Sequence, residues 1–373
     1  MNTKYKFRFF AHSWVSDWNH GNAHFLRGLA RELTRMGHEV RCYEELGAWS
    51  LTNLVTHEGT AAISAIDEFR RTYPELNIHF YQRGPSFEEF LDQELKDVDF
   101  VIIHEWNDPE VVNAILQRKQ EEGFVALLHD THHRVYSSAH EILKFQLHRF
   151  DGVLAFGEVI RKIYQDGLGI ERAWTFHEAA DVSVFNPQGN GAKTTDVVWI
   201  GNWGDEERTK ELTEFLVGPA SASKGRKIVA HGVRYPDEAV GALQRAGIDF
   251  RGYLPNLETP RVYGQSRIAL HVPRRQYSNG LSGIPTIRVF EALACGIPLL
   301  CSPWNDIEHL FRPGEDYIVA ADGKQMAGEI DILLRDHRAR AEMAANGLET
   351  IRKRHTCAHR AAQLIEICEE VRR

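Results

Sequence analysis

The chain has 373 residues, 43% of them hydrophobic and 26% charged, with a formal net charge of −8. It is too long for one small hydrophobic core and suits two average domains. The composition is that of an ordinary soluble globular protein, and an acidic balance without a long basic run argues against a nucleic-acid partner. Five scattered cysteines (Cys42, Cys295, Cys301, Cys357 and Cys368) form no Cys-x-x-Cys pair, which points to neither a zinc site nor a disulfide framework. The opening "MNTKYKFRFFAHSW" reads as a strand rather than a signal peptide, and no apolar run approaches about 18 residues. The expected location is the cytoplasm.

In the first half, strands are predicted over 7–11, 39–44, 77–81, 99–104, 124–129 and 152–156. Helices are predicted over His24–Met36, Ala61–Thr72, Phe87–Leu95, Pro109–Glu121 and Ala139–Arg149. Gly37 supplies the C-cap of the first helix. On that helix Arg27, Arg31 and Arg35 share one face, read as solvated or as a docking face for an anionic membrane surface or acceptor. The stretch "DVSVFNPQGNGAKTTD", 181–196, reads as a linker. Strands then resume over 196–202, 226–232, 249–254, 267–272, 297–302 and 316–320. The chain closes with helices over Lys324–Arg335, Arg338–Arg354 and Ala358–Val371.

This alternation of short apolar runs with amphipathic helices predicts an α/β protein with parallel sheets. The expected organisation is a Rossmann-like domain over 1–183, a linker over 184–195, a second Rossmann-like domain over 196–355, and a final helix over 356–373. In such sheets ligands bind beyond the carboxyl ends of the strands.

The loops in those places carry the candidate chemistry. A helix beginning near Thr286 and Ile287 offers unpaired N–H groups and positive partial charge to a diphosphate. Its lone acid, Glu291, sits among apolar neighbours and can accept bonds from ribose hydroxyls. Arg288, three residues before it, either meets a phosphate or pairs with an acid of its own domain. The preceding loop "SNGLSGIPT" holds Asn279, Ser282 and Gly283. Beyond the strand over 196–202, Asn202, Arg208 and Lys210 lie in or near a loop leading into a helix; guanidinium clamps two phosphate oxygens at once. In the first half, Gly21 lies in a Gly-Asn turn where backbone can approach a phosphate or sugar, or where the turn is merely structural. "HDTHHR", 129–134, is the most polar strand-end loop, with His129 and Asp130 as candidate catalytic groups. "HEWND", 104–108, either faces an acceptor through His104 and Glu105 or caps the following helix. His177 and Glu178 are weaker candidates. No metal site is expected.

The segment "GYLPNLETPRVYGQSRIALHVPRRQYSNGLSGIPTIRVFEALACGIPLLCSP", 252–303, resembles the nucleotide-sugar half of GT-B glycosyltransferases near the retaining glycosyltransferase family 4. "GIPTIRVFEALACG", "FRPGEDYIVA" and "RHTCAHRAAQLIEI" look closest to spore-coat CgeB-type glycosyltransferases. The resemblance runs from about residue 196 to the C-terminus. It implies two Rossmann-like domains facing each other across a cleft, with the last helix crossing back to the first. It also implies a nucleotide-diphosphate sugar as donor substrate, with UDP, GDP or dTDP unresolved, and no metal or further cofactor. The acceptor would be a glycan, protein or lipid, and the anomeric configuration would be retained. Glu291 then maps onto the ribose-binding acid, Arg208 onto a diphosphate-binding arginine, and His129 onto a histidine lining the donor-sugar pocket. Two positions depart from the pattern. Gly283 stands where relatives have a second glutamate, and Thr213 where they often have a lysine; nearby Lys210 is a candidate substitute, and Arg208 and Lys210 have the alternative reading of decorating a helix rich in acids. The alternatives are a nucleotide-sugar epimerase on the same fold and a non-catalytic protein that binds a sugar nucleotide or glycan.

Overall fold

A computed structural model describes residues 3–189, 191–204, 206–223 and 225–373; Asn190, inside the expected linker, lies outside them. The chain divides into two compact units, Met1–Glu178 with Cys357–Arg373, and Ala179–Thr356. The stretch read as a linker belongs to the second unit, where Ala180 donates its amide to the His355 carbonyl at 2.9 Å.

Unit 1 is built on seven parallel strands: β1 (Lys6–Phe10), β2 (Glu39–Glu45), β3 (Ile78–Tyr81), β4 (Phe100–His104), β5 (Val125–Asp130), β6 (Gly152–Ala155) and β7 (Ala173–Thr175). They lie in the order β3-β2-β1-β4-β5-β6-β7. Central strands are apolar on both faces because helices cover both, so β4 is buried from end to end. Unit 2 repeats the plan with β8 (Thr195–Ile200), β9 (Ile228–His231), β10 (Ile248–Phe250), β11 (Ser266–His271), β12 (Leu299–Cys301) and β13 (Ile318–Val319). Their order is β10-β9-β8-β11-β12-β13. Each sheet is therefore a doubly wound Rossmann-like sheet, and its direction of winding reverses between β1 and β4 in one and between β8 and β11 in the other.

The closing helix, Cys357–Arg372, belongs to unit 1. It packs on the helix Ala23–Arg35 and on β5. Gln363 donates to the Thr175 carbonyl at 2.9 Å, and Arg372 bonds Asp99 while its guanidinium lies 4.8 Å from the Phe100 ring centre.

Three expectations need correction. The single helix over 139–149 is instead a short helix, Ala139–Ile142, followed by two tight turns, Leu143–Phe145 and Leu147–Arg149. Gln146 sits between them at φ 50° and turns the chain so that both Phe145 and Leu147 are buried. The helix Trp49–Glu58 was not anticipated because it buries only Ser50 and Leu54, leaving no apolar period to read. The third correction concerns the arginine face. Arg27 and Arg31 are 0% and 4% exposed, so no solvated or membrane-docking face exists there. Arg27 donates to the carbonyls of Trp14 (2.8 Å) and Val15 (3.1 Å) and pairs with Asp17 at 3.2 Å. Arg31 pairs with Glu75 at 2.5 Å and lies 4.1 Å from the Tyr73 ring centre. Of the three, only Arg35 is exposed, in an i,i+3 pair with Glu32.

A buried guanidinium cannot shed its charge, so removing it leaves two carbonyls and a carboxylate without their donor. Arg27→Ala is expected to destabilise the protein by about 3–5 kcal/mol, whereas Arg35→Ala stays within about 0.5 kcal/mol of wild type. Urea denaturation of the two variants side by side checks this contrast.

Candidate functional site

In unit 2 the candidate groups gather beyond β8 and β11, the strands flanking the reversal. Gly201 follows β8 because a Cβ there would lie 2.5 Å from the Trp199 ring. Asn202 accepts the Val233 amide at 3.0 Å through its side chain and the Arg208 guanidinium at 2.9 Å through its carbonyl. Gly204, at φ 74°, then lets the chain turn between Arg208 and Arg274: a Cβ on it would lie 3.8 Å from the first and 3.9 Å from the second. Arg274 opens the short helix that follows β11, and sequence reasoning missed it; the signal was the basic pair in "HVPRRQ" directly after a strand. Lys210 is exposed, and two residues along a helix from Arg208 it projects from a different face.

β11 ends in His271, which is also new to the site. Burial and the charge of Arg208 lower its pKa to about 3, so the imidazole is neutral. Its Nε2 lies 2.9 Å from the Thr286 hydroxyl. Thr286 is the N-cap of the helix Ile287–Ala294 by backbone geometry, yet its side chain makes no capping bond. The hydroxyl is turned to His271, and the Val289 amide donates to the Thr286 carbonyl at 3.0 Å. Ile287 is buried. One turn on, Glu291 is 0% exposed and its carboxylate accepts from Arg288. Asn279 ends the short helix Arg275–Asn279 and is exposed; in the loop that follows, Ser282 is half-buried and Gly283 buried at φ 94°. A Cβ on Gly283 would lie 2.6 Å from the Ile307 side chain.

In unit 1 the reversal lies between β1 and β4, and four histidines collect at those strand ends. His12 and His20 follow β1, His104 ends β4, and His129 is the penultimate residue of β5, paired in register with His104. Ring centres are 4.0 Å apart for His12–His20, 5.4 Å for His12–His104 and 5.6 Å for His104–His129. Burial lowers their pKa values, to about 4 for His12 and about 3 for His129, and well below the usual range for His20 and His104. All four are neutral. Both ring nitrogens of His20 and of His129 are without a hydrogen-bond partner among the described residues. His12 and His20 carried no motif in the sequence; only the fold brings them to His104.

The other groups of unit 1 are occupied. The Asp130 carboxylate accepts the Tyr164 hydroxyl at 2.7 Å and the His132 amide at 3.0 Å, and burial raises its pKa. Burial, with Asp130 nearby, also raises Glu105, whose carboxylate lies 3.2 Å from Arg134. Thr131 joins His104 at 3.0 Å to Asn22 at 2.6 Å, beside the turn that contains Gly21. His133 bonds Ser137. Asp108 caps the helix Pro109–Glu122 by accepting the Glu110 amide at 2.9 Å, the capping role foreseen for 104–108. His177 and Glu178 are buried, and the His177 carbonyl accepts from Arg360 at 2.9 Å. Among the described residues no group of three or more His, Cys, Asp or Glu is placed to hold a metal ion, and no helix is long and apolar enough to cross a membrane.

Fold and site together define a two-unit α/β protein of GT-B class, with cationic groups and a helix start at a strand-order reversal. Residues 208–366 match the family described as glycosyl transferase-like. Among solved structures the chain is similar to sucrose-phosphate synthase from Thermosynechococcus elongatus, at 13% identity and TM-score 0.71, covering 99% of each chain. It is similar to HepE of Anabaena in complex with UDP, at 12% identity and TM-score 0.68, covering 99% of this chain and 100% of that one. A third is an alpha-glucosyltransferase in complex with UDP and a 13-mer DNA, at 13% identity and TM-score 0.68, covering 98% and 100%. No curated protein sequence matches. At these identities the likeness is one of fold. A DNA-bound protein on the same fold also means that the exclusion of nucleic acid rests on charge alone.

Two outcomes follow. An imidazole neutral in the folded state is protonated on unfolding below about pH 6.5, so stability falls with pH by up to about 1.4 kcal/mol per unit for each such group. The raised Asp130 and Glu105 act in the opposite sense, but His12, His20, His104, His129, His231 and His271 are all lowered and outnumber them. Melting temperature is expected to drop between about pH 7.5 and about pH 5.5, and His129→Phe to flatten that dependence. Separately, Gly283→Ala places a Cβ against Ile307 at positive φ and is expected to cost about 1–3 kcal/mol, read by chemical denaturation.

Proposed function

We propose that the protein transfers a sugar from a nucleoside diphosphate donor to an acceptor hydroxyl, with unit 2 holding the donor. The carrying observation is the arrangement of Arg208 beyond β8 with the uncapped start of the helix Ile287–Ala294 beyond β11. A diphosphate takes both: guanidinium on its oxygens, and N–H groups with the positive end of the helix dipole on the rest. Arg274, on the other side of Gly204, adds a second cation, so charge developing on the leaving diphosphate is neutralised by side chains rather than by a metal. Neutral His271 orients Thr286 without adding charge. Glu291, held by Arg288, takes the ribose hydroxyls. The match of 208–366 to the glycosyl transferase-like family spans these groups from Arg208 onward.

Retention of configuration and transfer of a hexose complete the reading. With the Asp130 carboxylate engaged by Tyr164, the acceptor proton passes to a leaving phosphate oxygen, so no side-chain base is needed, and the acceptor oxygen itself forms the new bond to the sugar as the bond to the diphosphate breaks. UDP is bound in two of the similar structures, which makes a nucleoside diphosphate the first ligand to try. No cofactor beyond the donor is required.

Thermal-shift measurements with UDP, GDP and dTDP test this. At least one is expected to raise the melting temperature, with the shift lost in Glu291→Gln and affinity lowered about tenfold or more in Arg208→Ala, as for a charged hydrogen-bonded phosphate contact. If none of the three moves the melting curve, the donor reading is wrong.

A further inference from the structure

The loop that follows β12 is held in a fixed shape. The buried Asp306 carboxylate accepts the amides of Leu310 at 3.1 Å and of Phe311 at 2.7 Å. The Ile307 amide donates to the Asn305 carbonyl at 3.0 Å. His309 turns the chain at φ 52°, and its carbonyl accepts from Arg354 at 3.1 Å. Between these anchors Ile307 and half-buried Glu308 are carried to Gly283, in the loop before Thr286. Where a Cβ on Gly283 would stand, the Ile307 side chain lies 2.6 Å away and a Glu308 carboxylate oxygen 3.7 Å away. A glutamate's own carboxylate oxygen lies about 3–3.6 Å from its Cβ, across three covalent bonds. Glu308 therefore brings a carboxylate to within about the reach that an acid at position 283 would have, from a different loop.

The neighbours decide what this carboxylate can bind. Gly283 lies three residues before Thr286, the N-cap of the helix whose start takes the diphosphate on the donor reading. A carboxylate repels phosphate, so its ligand there is an uncharged group that donates hydrogen bonds. On a nucleotide sugar such donors are the hydroxyls on either side of the diphosphate. Glu291 takes those of the ribose, which leaves those of the sugar to Glu308. A hydroxyl bonded to a carboxylate is held about twice as strongly as one bonded to a neutral acceptor. Ile307, 48% exposed beside it, offers an apolar surface to the C–H groups of the same ring. A metal ion would need further ligands, and no group of three or more His, Cys, Asp or Glu is placed to hold one among the described residues.

We infer that Glu308 binds a hydroxyl of the donor sugar, a specificity-determining contact supplied by the loop after β12 rather than by a side chain at position 283. This rests on the glycosyltransferase reading and adds to it a residue that selects the sugar. Isothermal titration of the full chain compares each nucleoside diphosphate with its sugar conjugate: UDP with UDP-glucose and UDP-galactose, GDP with GDP-mannose, and dTDP with dTDP-glucose. At least one nucleotide sugar is expected to bind, its affinity falling about tenfold or more in Glu308→Ala and less in Glu308→Gln. The matching nucleoside diphosphate should lose less than about twofold, which also reports that the variants fold. Deoxyfluoro donors give a second readout, because fluorine cannot donate a hydrogen bond. The substitution that weakens binding to wild type should have no further effect in Glu308→Ala. Nucleotide sugars that bind Glu308→Ala as tightly as wild type, or equal weakening of nucleotides with and without the sugar, overturn the inference. So does a wild type that binds a nucleoside diphosphate and none of the nucleotide sugars. Failure of the donor reading is separate, since no nucleoside diphosphate would then bind wild type at all.

Discussion

Each sheet is wound outward from one central strand and restarted on that strand's other side, and this reversal fixes where chemistry can occur. At β1/β4 and at β8/β11 the outgoing loops diverge, because the crossover helices that follow them go to opposite faces. Only there do loops from distant parts of the sequence lie together without a helix between them. The groups that the structure gathers, His12, His20 and His104 in unit 1, and Asn202, Arg208, His271 and Thr286 in unit 2, all sit at these two places. Lys210 and Asn279, chosen by chemistry alone, are exposed.

The polar interior of unit 1 divides its labour along a line set by proton chemistry. Arginine stays charged in any protein interior, so a buried one has to be bonded on several sides at once. Arg27 meets this by clamping the carbonyls of Trp14 and Val15, while Glu44 accepts the amides of the same two residues at 2.9 Å or less. The loop after β1 is therefore held from both its acceptor and its donor sides. Histidine has the other option: desolvation strips its proton and leaves a small neutral group with one donor and one acceptor. The loop is fastened by arginine and glutamate, and what it then displays is imidazole.

This division also decides how much was legible in the sequence. Both sheets could be read, because parallel strands buried on two faces are continuous apolar runs, and so could the long helices, whose apolar period spans several turns. The helix start at Thr286 was readable from the switch of "SNGLSGIPT" to an apolar helix. What failed was everything that depends on three-dimensional neighbours. Arg27, Arg31 and Arg35 look alike on a helical wheel, and nothing local says that Asp17 and Glu75 will bury two of them. β7, three residues long at a sheet edge, carries too little pattern to register. His12, His20, His271 and Arg274 belong to no motif; they matter because strand order places them beside groups far away in sequence. Asp130 was legible as an acid at a strand end, whereas the Tyr164 hydroxyl that it accepts at 2.7 Å was not.

The departure at Gly283 becomes a statement about packing. Where an acidic side chain would begin, Ile307 fills the space to within 2.6 Å of the missing Cβ, and the backbone at φ 94° is one that glycine adopts without strain. The loop has thus been rebuilt around the glycine rather than merely deprived of a carboxylate, and restoring the acid would require moving Ile307 and changing the backbone together. On the glycosyltransferase reading, the contacts that choose the sugar then fall to main-chain groups of the loop, to short polar side chains such as Ser282, and to Glu308 from the loop after β12. In unit 1 the neutral imidazoles of His12 and His20 lie beside ions that are already paired, Arg134 with Glu105 and Arg27 with Asp17.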